Sequence, residues 1–168
     1  YVKETTYTEV KQFEDENHLS GSTYSEINLG MYFESQLIGI ATFGKPRFDK
    51  NAEYELIRLC FKQGIRVVGG SEKLFKYFVS KYKPNNIISY CDISKFKGSV
   101  YIKLGFKSTT DMITRPGYIW FNLETKQILS RYNTQKSKIS SYNDGETETN
   151  IMENNGFVKI HNAGNLKF

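Results

Sequence analysis

Two glycines stand where an apolar run gives way to an amphipathic one. Arg66-Val67-Val68-Gly69-Gly70-Ser71 follows Tyr54–Phe61 and leads into Glu72–Tyr82, a strand, a glycine turn and a helix start. Glycines let the backbone turn tightly and approach a ligand, and the first amides of a helix lack intrahelical acceptors. An anionic group such as a phosphate is the natural occupant of such a corner, although a plain turn has the same residues. Asp92 is the second chemically able position, at the end of the apolar run Ile87–Asp92. Ligands approach open sheets at the carboxyl ends of strands, where a carboxylate can accept a proton or orient an amine; it can equally make a turn or cap a helix. Ser89 and Tyr90 alternate across the sheet, so only one of them faces a given cleft. His18, one of two histidines, sits in the break Asn17–Gly21. With Asp92 it offers two metal ligands where an open catalytic centre uses three, so no metal is expected, and a capping role stays open for it.

These residues need a sheet and helices to hold them. Val2–Thr6 alternates as a short strand, and a helix follows from Thr8-Glu9-Val10, with Val10 and Phe13 at helical spacing. Glu26–Glu34 and Gln36–Phe43 form a hairpin about the Glu34-Ser35 corner, and Tyr54–Phe61 is the next strand. Leu74, Phe75, Phe78 and Val79 give the helix Glu72–Tyr82 an apolar stripe that ends before Pro84. Ser99–Leu104 reads as a short helix stopped by Gly105, and Phe106–Met112 and Tyr118–Leu123 as two closing strands. From Glu124 the composition turns polar; Ser137–Asn150 has no apolar period and predicts a loop. Ile151–Gly156 predicts a helical turn and Phe157–Ile160 a terminal strand.

The chain has 168 residues, enough to bury one sizeable core, and 15% of them are aromatic. A net charge of +5 favours an acidic partner, a nucleic acid or a polyanionic cofactor. Arg47, Arg58, Lys73 and Lys76 are available for phosphates, but no helix-turn-helix, zinc-finger or RNP pattern is present to read bases. Cys60 and Cys91 lack a CxxC or Cys/His setting, which argues against zinc and against a disulfide framework and suits a reducing compartment. No apolar run approaches 18 residues, so neither membrane insertion nor secretion is expected.

The order of elements over residues 1–123 resembles the GNAT acyltransferase fold, and two motifs carry the likeness. Arg66-x-x-Gly69-x-Ser71 is similar to the segment that wraps the coenzyme A pyrophosphate in that family, with Ser71 in place of Gly or Ala. Val100-Tyr101-Ile102-Lys103-Leu104-Gly105-Phe106 is similar to the segment whose tyrosine protonates the departing thiolate. A narrower resemblance is to the GNAT-like, Mom-like domain that follows Vsr-like nuclease modules in phage-type homing endonucleases. It rests on Asn17-His18-Leu19-x-Gly21, Thr42-Phe43-Gly44-Lys45-x-Arg47-Phe48, Tyr54-Glu55-Leu56-x-Arg58 and Ile87-Ile88-Ser89-Tyr90-x-Asp92. It continues through Val68-Gly69-Gly70 and the tail segment Gly164-Asn165-x-Lys167-Phe168. Where those relatives carry Arg-Arg-Trp, this chain has Ile93-Ser94-Lys95.

The resemblance implies a GNAT-like α/β domain over residues 1–123, with a mixed, mainly antiparallel sheet flanked by helices, and a polar extension, 124–168, of the same unit. It implies an acyltransferase that takes the group from acetyl-coenzyme A or another acyl-coenzyme A, held at Arg66, Val68, Gly69, Gly70 and Ser71. Tyr101 would be the acid and Asp92 or Glu55 the base, with His18 and Ser89 beside the acceptor. The acceptor class implied is nucleic acid, as in DNA base modification in the cytoplasm of a bacterial host. A noncatalytic DNA-binding module of a homing endonuclease and a protein N-acetyltransferase are the alternatives.

Overall fold

The computed structural model describes residues 1–108, 113–114, 116–131, 133–138 and 145–168. Among them are ten strands and four α-helices, in a mixed α+β arrangement whose sheets are mostly antiparallel. The chain divides into two compact units, Tyr1–Cys91 with Lys97–Met112 and Leu166–Phe168, and Asp92–Phe96 with Ile113–Asn165.

In the first unit β1 (Val2–Glu4), β2 (Ile27–Phe33), β3 (Gln36–Gly44), β4 (Tyr54–Phe61), β5 (Ile87–Asp92) and β10 (Asn165–Lys167) lie side by side as β1-β2-β3-β4-β5-β10. The pairs from β1 to β4 are antiparallel, and β4 and β5 are parallel. The β2–β3 hairpin turns on Glu34 and Ser35, both at positive φ (46° and 66°), the two-residue turn whose twist suits paired strands. Helix α1 (Tyr7–Asn17) starts at a capping box, in which Thr6 accepts from the Glu9 amide while the Glu9 carboxylate accepts from the Thr6 amide. Side chains of successive strand residues point to opposite faces, so β3 serves two cores. Ile40 packs with Val10 and Phe13 of α1; Ala41 and Phe43 pack with Leu74 and Phe78 of α2 (Gly70–Tyr82). The rings of Phe43 and Phe78 stack at 3.6 Å between centroids. A short helix α3 (Ser99–Lys103) follows β5.

The second unit holds β6 (Ile113–Thr114), β7 (Tyr118–Asn122), β8 (Ile128–Ser130), α4 (Glu148–Asn154) and β9 (Phe157–His161). Its antiparallel sheet, ordered β8-β7-β9, packs Trp120 and Phe157 on Met152 of α4. The Glu148 carboxylate accepts from the indole of Trp120 (2.9 Å) and the hydroxyls of Tyr118 (3.0 Å) and Thr134 (3.1 Å), which satisfies these three donors. The Lys159 ammonium lies over the rings of Tyr118 and Trp120.

Several sequence expectations shift here. The strand expected at Phe106–Met112 is irregular over 106–108, and 109–112 lie outside the described residues. Tyr118–Asn122 is a strand, but its partners are β8 and β9. The loop expected at Ser137–Asn150 ends sooner: α4 begins at Glu148, capped by Thr147, while 139–144 lie outside the described residues. The helical turn expected at Ile151–Gly156 is the later part of this helix; patterning missed its start because the first turn is polar, and only Ile151 and Met152 are buried.

Candidate functional site

The parallel pair β4 and β5 is the structural origin of the site. Tyr54, Glu55 and Leu56 pair with Ile87, Ile88 and Ser89, and the register ends there, although β4 runs on to Phe61 and β5 to Asp92. Beyond Leu56 and Ser89 the two strands are no longer a ladder. On the other edge of β4 the register with β3 shifts, Thr42 facing Arg58 and Phe43 facing Leu56, so that Ile57 is the extra residue of a bulge. A bulge interrupts a ladder and redirects backbone and side chains, and it accumulates beside functional sites.

Past Phe61 the chain reaches the glycine turn. Gly69 is the N-cap of α2 at φ 71°, a left-handed conformation that favours glycine, and no side chain caps the helix. Gly70 serves another need: a Cβ there would meet Phe61 Cε1 at 2.6 Å and Val67 Cγ1 at 2.9 Å, so only glycine lets the helix start settle on β4. Next to the turn is a cavity of about 290 Å³ lined by Val67, Gly69, Gly70 and Ser71 on one side and Ser99, Val100 and Lys103 on the other. A second hollow of about 420 Å³ shares Glu72, Lys103 and Leu104 with it and adds Phe75 and Val79. Glu72, the one carboxylate on the cavity, is neutralised by Lys76 at 2.7 Å. The uncapped helix start and Lys103 suit an anionic group. Of the expected anion-binding residues, Gly69, Gly70 and Ser71 line the cavity; Arg66 is exposed and Val68 points to solvent at 88% exposure.

Tyr101 and Ser89 come together behind this corner. Burial pushes the Tyr101 phenol above its ordinary value, and a hydrogen bond with Ser89 opposes the shift, as does the charge of Arg58. The Ser89 hydroxyl donates to the Leu56 carbonyl (2.9 Å), at the point where the two strands part. Phe168 exchanges both backbone hydrogen bonds with Ser89 and stacks its ring on Tyr101, 4.9 Å between centroids. Phe168 therefore helps to hold Tyr101 in place.

The other expected residues are engaged elsewhere. The Asp92 carboxylate accepts from the Ser94 amide (3.0 Å) and hydroxyl and faces Lys95 at 4.0 Å, within the second unit. Glu55, 1% exposed, takes the Arg47 amide (2.9 Å) and both Nε and a terminal nitrogen of its guanidinium (3.1 and 2.5 Å). His18 is the C-cap of α1 and accepts the Ser20 amide at Nδ1 (3.1 Å), which puts its ring proton on Nε2. No group of three His, Cys, Asp or Glu able to hold a metal stands among the described residues.

Sequence reasoning passed over a buried polar cluster on the α1 face. Glu14 and Thr42 are wholly buried, and Arg58, facing Thr42 across the β3–β4 pair, is part-buried. Glu14 Oε2 accepts from the Thr23 amide (3.0 Å), the Thr42 hydroxyl and the Arg58 guanidinium stand by the same carboxyl, Arg58 donates a terminal nitrogen to the Ile57 carbonyl (3.3 Å), and its Nε has no partner. Burial raises the Glu14 carboxyl above its usual range against the pull of Thr23, Arg58 and Thr42, and burial likewise lowers the Arg58 guanidinium. Cys60, part-buried there, is pushed up to about 12 by desolvation and by Glu14. A charged residue within the run Leu56-Ile57-Arg58-Leu59-Cys60 was the available signal. No helix among the described residues is long and apolar enough to cross a membrane. Set against known proteins, the chain matches no family model and no curated protein.

Proposed function

We propose that the chain is a GNAT-like transferase that moves an acyl group from an acyl-coenzyme A to an amine, with nucleic acid the leading acceptor class. One observation carries the reading: a parallel strand pair that stops pairing at Leu56 and Ser89, and whose first strand leads through a glycine turn to an uncapped helix beside a cavity. Such an opening admits an extended ligand between strands, and the helix start takes its anionic part. Coenzyme A combines a pyrophosphate with a thioester, an acyl group already activated for attack by an amine. In this reading the amides at Gly70 and Ser71, with Lys103, hold the pyrophosphate, and Phe75 and Val79 offer apolar surface beside it.

Tyr101 is suited to give a proton to a thiolate. Its raised pKa keeps the phenol protonated at neutral pH, and Ser89 and Phe168 fix its direction. Asp92, Glu55 and His18 all have partners already. That engagement favours the rival, a noncatalytic DNA-binding module on the same fold.

Calorimetric titration of the full chain with acetyl-coenzyme A and coenzyme A tests the reading. Micromolar binding that Gly69→Trp abolishes, with the far-UV spectrum unchanged, supports it. A folded protein that binds neither compound overturns it, and binding to duplex DNA that weakens steeply with salt then identifies the rival.

A further inference from the structure

We propose that the outer face of the sheet β8-β7-β9 docks a second copy of this chain, sheet face on sheet face. The strand register defines that face. Phe121 stands between Ile128 on one side and Val158 on the other, and Ile119 stands between Ser130 and Ile160. Their neighbours Trp120 and Leu129 turn the opposite way, into the cluster with Met152 of α4 and Phe157. Ile119, Ile128, Val158 and Ile160 are 38%, 62%, 37% and 46% exposed, and Leu123, next in the alternation after Phe121, is 57% exposed. An antiparallel sheet with one face in water alternates apolar inside with polar outside. Here five of the six outer positions are apolar and the sixth is an uncharged serine, so the face has the composition of a layer that another layer covers.

Charge and area select the occupant. A two-fold contact sets the same patch of both copies against itself, and with no charged residue among the six positions no like charges are opposed. A nucleic acid or a strongly charged protein finds nothing on this face to pair with. The nearest charge, Lys126, is at the rim, its ammonium 5.9 Å from the Phe121 ring centre and bonded to the Leu123 carbonyl. Taking about 200 Å² for a large side chain laid bare, the five exposures leave roughly 500 Å² of apolar surface on each copy, within the range of patches that mark interaction sites. Two copies together then cover about 1,000 Å², the lower bound for a specific contact, which sets the association in the micromolar range. The face belongs to the second unit and uses no residue of the glycine turn, so it stands or falls apart from the acyl-donor reading.

Sedimentation velocity of the full chain between about 1 and 200 μM tests the proposal, with a passage from monomer to dimer expected across that range. Ile128→Lys and Ile160→Lys each bring a charge onto the face and should weaken association about tenfold or more. Phe33→Lys, at a residue 63% exposed in the first unit, should leave it unchanged. Trp120 lies on the reverse of the same sheet, so its fluorescence shows that each variant keeps the sheet. Should either lysine variant fail to fold, Ser130→Arg, at an exposed and already polar position of the face, gives the same reading. A folded chain that stays monomeric at about 200 μM overturns the proposal and leaves the face to a different protein. So does a dimer that persists through the folded face variants.

Discussion

Alanine at Gly70 and alanine at Gly69 should separate two uses of adjacent glycines. At Gly70 the new Cβ would lie 2.6 and 2.8 Å from Phe61 Cε1 and Cζ and 2.9 Å from Val67 Cγ1. Non-bonded carbons rest about 3.5–4.0 Å apart, so the ring and the valine must yield by about 1 Å. Both are part-buried side chains at the margin of the core, able to shift, and overpacking of this kind costs about 1–3 kcal/mol. Helix propensity returns about 1 kcal/mol, which leaves a net loss of about 0–2 kcal/mol. At Gly69 nothing stands within 4 Å, so the cost is the left-handed backbone at φ 71° alone. That is about 1–2 kcal/mol, reduced by about 0.4–1 kcal/mol because alanine restricts the unfolded chain. Urea unfolding followed by tryptophan fluorescence would report Trp120 in the second unit, so backbone circular dichroism is the better probe. Gly70→Ala should show the lower midpoint at unchanged slope. Equal midpoints, or Gly69→Ala the less stable, would refute the idea that α2 is seated by contact with Phe61.

Tyr101→Phe should lower acyl-transfer turnover at least tenfold while acetyl-coenzyme A affinity stays within about twofold, read by thiol release beside calorimetry; full turnover would remove Tyr101 as the acid. Glu55→Gln strips the counter-charge from Arg47, and because that arginine is 46% exposed and can be solvated, the loss should fall near 1–3 kcal/mol, below that of a fully buried pair. An unchanged unfolding midpoint would show that the pair is not a determinant of the Gly44–Glu55 connection. Glu14 gives a pH dependence of known sign. Its folded-state carboxyl is raised by burial above its ordinary value, so the folded state holds the proton more tightly. Stability is then highest below the ordinary carboxyl value as far as this group is concerned and falls as pH rises through the raised one. Glu14→Gln should flatten that decline in unfolding midpoints measured across it. Asp15, held down to about 2 by Lys11 and Ser22, acts in the other sense, losing its contribution as pH falls toward 2, and so leaves the upper window to Glu14.

Local signals in the sequence were sufficient for the elements with a clear apolar period. The hairpin at Glu34-Ser35, the strand Tyr54–Phe61 and the helix on Leu74 and Phe78 follow from alternation and apolar stripe, and all are present. The mixed, mainly antiparallel arrangement that the resemblance implied is present as well. What failed depends on long-range pairing. Tyr118–Asn122 has the alternation of a strand, yet nothing local says that its partners are Ile128–Ser130 and Phe157–His161. The chain's last residues show the same limit. Leu166–Phe168 read as the end of a polar tail, whereas they join the first unit, and Phe168 reaches Ser89 and Tyr101.

The candidate site shows why a list of able residues is a poor guide to which of them are at liberty. Asp92, Glu55 and His18 were singled out because their types can do chemistry, and each has its bonding capacity filled by a neighbour two to eight residues away in sequence. Short polar side chains near turns find local partners first, and this is the physical content of the turn and capping rules that also predicted those positions. Glu14, Thr42 and Arg58 are the reverse case. Glu14 sits in a helix whose other buried side chains, Val10 and Phe13, are apolar, and Arg58 in an apolar strand, so patterning treats both as exceptions to a core. Packing takes them out of water, and they meet one another there: Glu14 takes the Thr23 amide and lies with Thr42 and Arg58. Local pattern locates side chains that must find a partner inside the fold, but which partner they find is decided by elements distant in sequence.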